Sequence, residues 1–126
     1  MSDIKRVLIV EDEMAFAKTV KLRLESEGYE VIVAGDAYTG TQVIIKQDLD
    51  LIILDLMMPA GGGFSLLDRI RKIPNKVTIP VVILTGKTID EEVMEKAKVY
   101  DVAEVVSKPY ESKEFVAKIK AIIPAE

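Results

Sequence analysis

The apolar run Leu51–Leu54, which ends at Asp55, limits most strongly what this chain can fold into. Four large apolar residues in a row show no polar alternation, which is typical of a strand that helices cover on both faces of a parallel sheet. Because open α/β sheets bind ligands at the carboxyl ends of their strands, Asp55 stands where a functional group is expected. An isolated Asp would more often only end the strand, so the interpretation depends on which residues reach the same edge.

Apolar residues recur in a pattern that predicts five strands alternating with five helices. The predicted strands span residues 6–10, 30–33, 51–54, 81–84 and 104–106. The predicted helices span residues 14–27, 37–46 (burying Val43 and Ile44), a stretch carrying Leu66, Leu67, Ile70 and Ile73, and then 90–99 and 112–123. Strict alternation implies a parallel sheet with crossover helices on both faces. We therefore predict one doubly wound α/β domain over residues 1–126.

Residues at the ends of these elements predict local structure. Gly28 is placed to end the first helix, because glycine adopts the left-handed conformation of a helix C-terminus without strain. Thr88 and Glu91 have the spacing of a capping box before the fourth helix. Pro59 and the three glycines at 61–63 predict a sharp turn after the third strand.

Composition excludes several classes of protein and site. Histidine and cysteine are both absent, which removes phosphohistidine, disulfides and thiolate chemistry from this chain. The net charge of −4, from 21 acidic and 17 basic residues, argues against a dedicated nucleic-acid surface. No apolar run approaches the roughly 18 residues of a membrane span, and no secretory signal is recognisable. We expect a cytoplasmic protein without membrane insertion or direct nucleic-acid binding.

Polar residues follow four of the predicted strands, at the edge where parallel strands deliver their carboxyl ends. These are Glu11 and Asp12 after the first strand, Asp55 after the third, Thr85 after the fourth and Lys108 after the fifth. Clustered carboxylates raise one another's pKa unless a cation neutralises them. Oxygen ligands of this kind suit Mg²⁺. The sequence therefore predicts one crevice that holds three carboxylates, a hydroxyl, an ammonium group and a divalent cation.

Four stretches, in this order, resemble the receiver domain of two-component response regulators, of the chemotaxis type. They are Val7-Leu8-Ile9-Val10-Glu11-Asp12-Glu13, Leu54-Asp55-Leu56-Met57-Met58-Pro59, Val82-Ile83-Leu84-Thr85-Gly86 and Lys108-Pro109-Tyr110. The resemblance covers essentially the whole chain. It implies a flavodoxin-like sheet with strand order 2-1-3-4-5, and a bacterial signalling protein rather than an enzyme.

The resemblance also implies a role for each acid. Asp55 would accept a phosphoryl group from a phosphohistidine on a histidine kinase or a histidine phosphotransfer protein. Asp12, Asp55 and the backbone carbonyl of Met57 would hold Mg²⁺, with Glu11 acting through water. The phosphorylated chain would signal to a downstream protein. The resemblance is also compatible with a homodimer that forms on phosphorylation.

Two further residues have implied roles near the phosphoryl group. Lys108 would pair with the phosphoryl oxygens, and Thr85 would move toward them after transfer. A cis peptide between Lys108 and Pro109 would aim the lysine. From the charges alone, we expect Lys108 to neutralise its acidic neighbours only when phosphate or metal is bound.

The sequence departs from the family pattern at three positions. Gly62 stands where many members carry an acid, and Asp101 stands at a common glycine position. Val105 replaces the aromatic residue of the fifth strand, and a β-branched side chain cannot swing as a ring does. We therefore expect phosphorylation to shift residues 85–88 and the start of the next helix, unless Tyr110 supplies the rotation.

Two other functions compete with this hypothesis. A pseudo-receiver would bind partners without phosphorylation, but the complete set of acids, threonine and lysine speaks against it. A flavodoxin-like protein that binds a small ligand would need a loop for phosphate, and the acidic pair after the first strand repels phosphate. Gly86-Lys87-Thr88 matches only the tail of a P-loop, since Val81 stands where that motif needs glycine.

Overall fold

A computed structural model describes residues 4–58, 62–76, 78–86, 88–108 and 112–125. Five strands alternate with five helices along these residues. The strands are β1 (Arg6–Val10), β2 (Glu30–Ala34), β3 (Leu51–Leu54), β4 (Val81–Thr85) and β5 (Glu104–Ser107). The helices are α1 (Met14–Ser26), α2 (Ala37–Lys46), α3 (Gly62–Ile70), α4 (Glu91–Val99) and α5 (Ser112–Ile122).

The five strands form one parallel sheet in the order β2-β1-β3-β4-β5. The predicted doubly wound, flavodoxin-like fold is therefore confirmed. The register sets the ends of the central strands level, because Val10 pairs with Ala34 on one side and with Leu54 on the other. The residues that follow β1 and β3 consequently meet at one edge.

Alternate residues of the sheet supply two large hydrophobic cores, one on each face. Val7 and Ile9 of β1 pack with α1 and α5, whereas Leu8 and Val10 pack with α2 and α3. A smaller third cluster joins Leu56, Ile83 and Val93, and so attaches α4. All of β3 is buried, as a strand covered on both faces requires.

The predicted boundaries agree with the structure to within one residue for nine of the ten elements, and the third helix had been given no bounds. Ile44 is buried as expected, but Val43 is only partly buried. Ile73 lies beyond the end of α3 and is likewise partly buried. Gly28 ends α1 with a φ of 100°, which confirms its predicted role.

Two local predictions are wrong. Asp90, and not Thr88, caps α4, because its carboxylate directly precedes the helix and accepts the N–H of Val93 at 2.9 Å. The predicted glycine turn is too long, because Gly62 and Gly63 belong to α3. Gly62 nevertheless has a φ of 70°, the left-handed conformation that glycine was expected to supply.

Some predictions cannot be compared with the structure. Pro59 and Gly61 lie outside the described residues, and so do Pro109, with its expected cis peptide, and Tyr110. Among the residues that are described, no helix is long and apolar enough to cross a membrane.

Candidate functional site

The neighbouring strands β1 and β3 each lead into a buried acid. The N–H of Glu11 donates to the Ala34 carbonyl at 3.0 Å, and that of Asp55 donates to the Val10 carbonyl at 3.1 Å. Sheet hydrogen bonding thus continues through both acids. Glu11 is only 2% exposed and Asp55 only 5%. Charged groups at this depth need partners, because burial strips them of water.

Backbone N–H groups hold both carboxylates in place. Glu11 Oε2 accepts from the N–H of Glu13 at 3.1 Å, and Asp55 Oδ1 accepts from the N–H of Met57 at 3.0 Å. The exposed Asp12 completes a group of three acids whose nearest carboxylate oxygens lie within 4.8 Å of one another. This donor set of hard oxygens fits a divalent cation such as Mg²⁺.

Lys108 reaches both buried acids from the end of β5. Its Nζ donates to Glu11 Oε1 and, at 3.3 Å, to Asp55 Oδ2. The same ammonium lies 4.3 Å from the centre of the Phe16 ring, within the range of a cation–π interaction. Lys108 thus contacts both buried acids directly. Whether it neutralises them only beside phosphate or metal stays a prediction.

Thr85 ends β4 at the same edge and is fully buried. It pairs in register with Ser107, the last residue of β5. The N–H of the next residue, Lys108, donates to the Thr85 carbonyl at 2.8 Å. The end of β4 therefore fixes the backbone from which the lysine extends.

The two buried acids and the partly buried Lys108 shift one another's pKa values. Burial, only partly opposed by Lys108 and the N–H of Glu13, raises the pKa of Glu11 to about 7. Burial would also raise the pKa of Asp55, but the Met57 N–H, Glu11 and Lys108 together outweigh it and lower that pKa. Burial acts against the charged form of Lys108, but its bonds to Glu11 and Asp55 prevail and raise its pKa. A proton in this cluster thus favours Glu11 and leaves Asp55 ionised.

Val105 lies on β5, which β4 separates from β3 and its Asp55, and it has a packing role. It is half-buried against the third cluster, formed by Leu56, Ile83 and Val93. Leu56 directly follows Asp55, so this cluster adjoins the acidic site. Whether residues 85–88 move after phosphorylation stays a prediction.

The structure brings Glu11, Asp12, Asp55 and Lys108 together and places Thr85 at the same edge of the sheet. The ligand role of the Met57 carbonyl stays a prediction. Two further residues lie at this site that the sequence analysis did not place there. Phe16 was not predicted, although it lies in the first turn of a helix that starts at this edge. Gly63 was assigned to a turn, but a Cβ there would lie 2.5 Å from the Asp55 carbonyl oxygen. The glycine triplet next to Asp55 was the available signal for that close approach.

Comparison with curated proteins gives relatives that are response regulators. The chain is 32% identical over 119 residues to the phosphate regulon transcriptional regulatory protein PhoB of Pseudomonas aeruginosa, covering 94% of this chain and 52% of that protein. It is also 32% identical over 120 residues to the DNA-binding dual master transcriptional regulator RpaA of Synechocystis, covering 94% and 48%. The chain thus spans about half the length of these relatives.

A comparison with solved structures and a match to a family model lead to the same family as these relatives. Chemotaxis protein CheY4 of Vibrio cholerae has a similar structure, with a TM-score of 0.89, 25% identity, and coverage of 95% of this chain and 99% of that one. The model of the response regulator receiver domain matches residues 7–120, which contain every residue of the acidic site. The chain therefore belongs to the response regulator receiver domain family.

Proposed function

We propose that this chain is a phosphoacceptor switch in which Asp55 receives a phosphoryl group from a phosphohistidine. The observation that carries the proposal is the position of the Asp55 carboxylate. It is buried, within 4.8 Å of two other acids and 3.3 Å from the Lys108 ammonium, and its surroundings lower its pKa. Such a group is a strong candidate for nucleophilic chemistry, because carboxylates form acyl phosphates in other phosphoryl-transfer proteins.

The transfer would be an in-line displacement at phosphorus. One carboxylate oxygen of Asp55 forms the new P–O bond while the P–N bond to the donor imidazole breaks, and the electron pair stays on the imidazole nitrogen. Lys108 would turn from the carboxylates to the new phosphoryl oxygens, for which a compact point charge is suited. Thr85, buried at the end of β4, would offer its hydroxyl to the same group.

The acids around Asp55 would hold Mg²⁺. Asp12, Asp55 and the carbonyl of Met57 would be its ligands, and Glu11 would act through water. The fit rests on the cluster of carboxylate oxygens within 4.8 Å and on the hard-oxygen chemistry that Mg²⁺ prefers. When bound, the ion supplies positive charge that lets an anionic phosphoryl group approach these acids.

The partners follow from the family and from the chemistry of the acceptor. The donor would be a histidine kinase or a histidine phosphotransfer protein, because this chain contains no histidine of its own. The output would be a protein target, and the net charge of −4 does not favour direct contact with nucleic acid. Because the chain spans about half of RpaA, whose name describes it as DNA-binding, that activity is not transferred here.

A phosphorylation-independent pseudo-receiver is the main competing function, and one experiment separates the two. The protein is incubated with acetyl phosphate and Mg²⁺, and its intact mass is measured alongside Asp55→Asn and a sample in excess chelator. We expect one phosphoryl group on the wild type only when Mg²⁺ is present, and none on the variant. An unmodified wild type, or equal labelling of Asp55→Asn, would contradict the proposal.

A further inference from the structure

The first turn of α3 rests directly on the backbone of the proposed phosphoacceptor. A Cβ at Gly62 would lie 2.5 Å from the Leu56 carbonyl oxygen, and one at Gly63 would lie 2.5 Å from that of Asp55. The N–H of Gly63 also donates to the Leu56 carbonyl at 3.2 Å. Only glycine leaves room for this contact, so the peptide between Asp55 and Leu56 cannot shift far without moving α3.

The other end of α3 is attached to the C-terminal end of α4. Arg71 follows α3 directly, and among the described residues its guanidinium donates to three backbone carbonyls. These belong to Tyr100 at 2.7 Å, Asp101 at 3.1 Å and Ile79 at 2.8 Å. The planar guanidinium has five donors in a fixed arrangement. It therefore holds the end of α4, at Tyr100 and Asp101, in a fixed position relative to Ile79, which precedes β4.

The body of α3 between these contacts is packed firmly. Its inner face is fully buried against the sheet through Leu66, Leu67 and Ile70. On the side toward α4, the Phe64 ring stacks on the Tyr100 ring, with 6.2 Å between the ring centres. The Tyr100 hydroxyl donates to Asp68 at 3.1 Å. A densely packed helix moves as a unit, because its side chains have no free volume to absorb a displacement.

We infer that Arg71 is a positioning residue that couples the state of Asp55, through α3, to the C-terminal end of α4. The inference rests on the proposed function of Asp55 and adds the route by which its modification changes the surface. The N-terminal end of α4 is held separately, because the Asp90 carboxylate caps it by accepting the Val93 N–H. Arg71 acts beside the Phe64–Tyr100 stacking and the Tyr100–Asp68 hydrogen bond, and its loss weakens the response of residues 99–101 while the acceptor stays unaffected.

The experiment compares amide chemical shifts of ¹⁵N-labelled full chain before and after addition of Mg²⁺ and beryllofluoride, an analogue of the phosphoryl group. In the wild type we expect shifts at the acidic site and also at residues 99–101. In Arg71→Met the shifts at the acidic site persist, whereas those at 99–101 fall to less than about half of their wild-type size, since the contiguous contact is lost. Arg69→Met, on the exposed face of α3, serves as the matched control and keeps the wild-type response.

A merely structural Arg71 would change stability but not the response to beryllofluoride. Wild-type-sized shifts at residues 99–101 in Arg71→Met, or no shift there in a wild type that binds beryllofluoride, would overturn the inference and leave the proposed function intact. If Arg71→Met does not fold, Arg71→Lys replaces it, because lysine keeps the charge but cannot span three carbonyls, and the same reduction is expected. A wild type that takes up neither phosphoryl group nor beryllofluoride would overturn both proposals.

Discussion

Glu11 is a buried acid whose charged form the fold disfavours. Its pKa rises from an ordinary value of 4.5 to about 7, because the effect of burial outweighs the hydrogen bonds from Lys108 and the Glu13 N–H. Between these two pH values the native state binds more protons than the unfolded state, so stability falls as pH rises through this window. The lowered pKa of Asp55 acts in the opposite direction, but only below its ordinary value of 3.8.

Glu11→Gln should therefore flatten the stability profile between pH 4.5 and about 7. In excess chelator, we expect the wild type to lose on the order of 1–3 kcal/mol across this window, and the variant to lose clearly less. Urea denaturation at a series of pH values measures both. Glu95→Gln, an exposed acid on α4, should keep the wild-type slope, and an equally steep profile in Glu11→Gln would contradict the prediction.

Asp12 contributes repulsion to the acidic cluster and, in our proposal, a ligand to Mg²⁺. In chelator, Asp12→Asn should be more stable than the wild type by about 0.5–1 kcal/mol, because one like charge is removed near two buried acids. With Mg²⁺ at ten times its Kd the wild type should gain about 1.4 kcal/mol, and the variant much less.

Thermal or urea unfolding in chelator and with Mg²⁺ measures both stability differences. Glu13→Gln removes an exposed acid that is not one of the three clustered acids, and so should keep the gain from Mg²⁺. The proposed ligand role of Asp12 would be wrong if its variant gained as much from Mg²⁺ as the wild type.

The positions of the site residues could be predicted from sequence, but their pairing could not. Glu11 and Asp55 follow apolar strands, Thr85 ends one, and the ends of parallel strands meet at one edge. The pairing of Lys108 with two carboxylates depends on side-chain reach and on burial depth. Neither quantity can be read from spacing along the chain.

At the scale of single elements, the cap of α4 is not the residue that sequence spacing predicts. Thr88 and Glu91 have the spacing of a capping box, but Asp90 is the residue that accepts the Val93 N–H. We expect Asp90→Ala to lose about 1 kcal/mol of stability, because a helix N–H loses its acceptor. Thr88→Ala should stay close to the wild type in the same urea titration. A larger loss of stability in Thr88→Ala than in Asp90→Ala would support the capping box that the sequence suggested.

The start of α3 is constrained by space more than by helix propensity. Gly63→Ala places a methyl group 2.5 Å from the Asp55 carbonyl oxygen, so either the helix or the acceptor strand has to move. We expect a loss of about 1–3 kcal/mol in the free energy of unfolding. Gly86→Ala is the matched control, since nothing lies within 4 Å of its added Cβ. Equal stability of the two variants would show that α3 has room to shift.

Element boundaries were predictable where an apolar run meets a polar residue. β1 ends at Val10, just before Glu11, and β3 ends at Leu54, just before Asp55, as the change in hydrophobicity indicates. The start of α3 was not predictable, because the three glycines carry no periodic side chains and suggest a turn. Their close packing on the acceptor backbone is a tertiary contact, and local propensity does not report it.

At the scale of the whole molecule, periodicity predicts the layers but not the order of the strands. The apolar strands Leu51–Leu54 and Val81–Thr85 indicate burial on both faces without saying which strands are neighbours. The order β2-β1-β3-β4-β5 was expected from the family resemblance, and the parallel pairings confirm it. The resulting topology places α1 and α5, which begin 98 residues apart in the sequence (112 − 14), against the same core.

Tyr29 connects the start of β2 to the end of α5 across this shared core. Its buried hydroxyl donates to the Ile123 carbonyl at 2.7 Å, which links the start of β2 to the end of α5. Tyr29→Phe keeps the ring but leaves that carbonyl without its donor, so we expect a loss of about 1–2 kcal/mol. The slope of the urea transition should not change, because the same surface is exposed on unfolding. Tyr38→Phe removes the hydroxyl of a residue that is 74% exposed and should match the wild type. Equal midpoints for the two variants would mean that the hydroxyl of Tyr29 does not hold α5 in place.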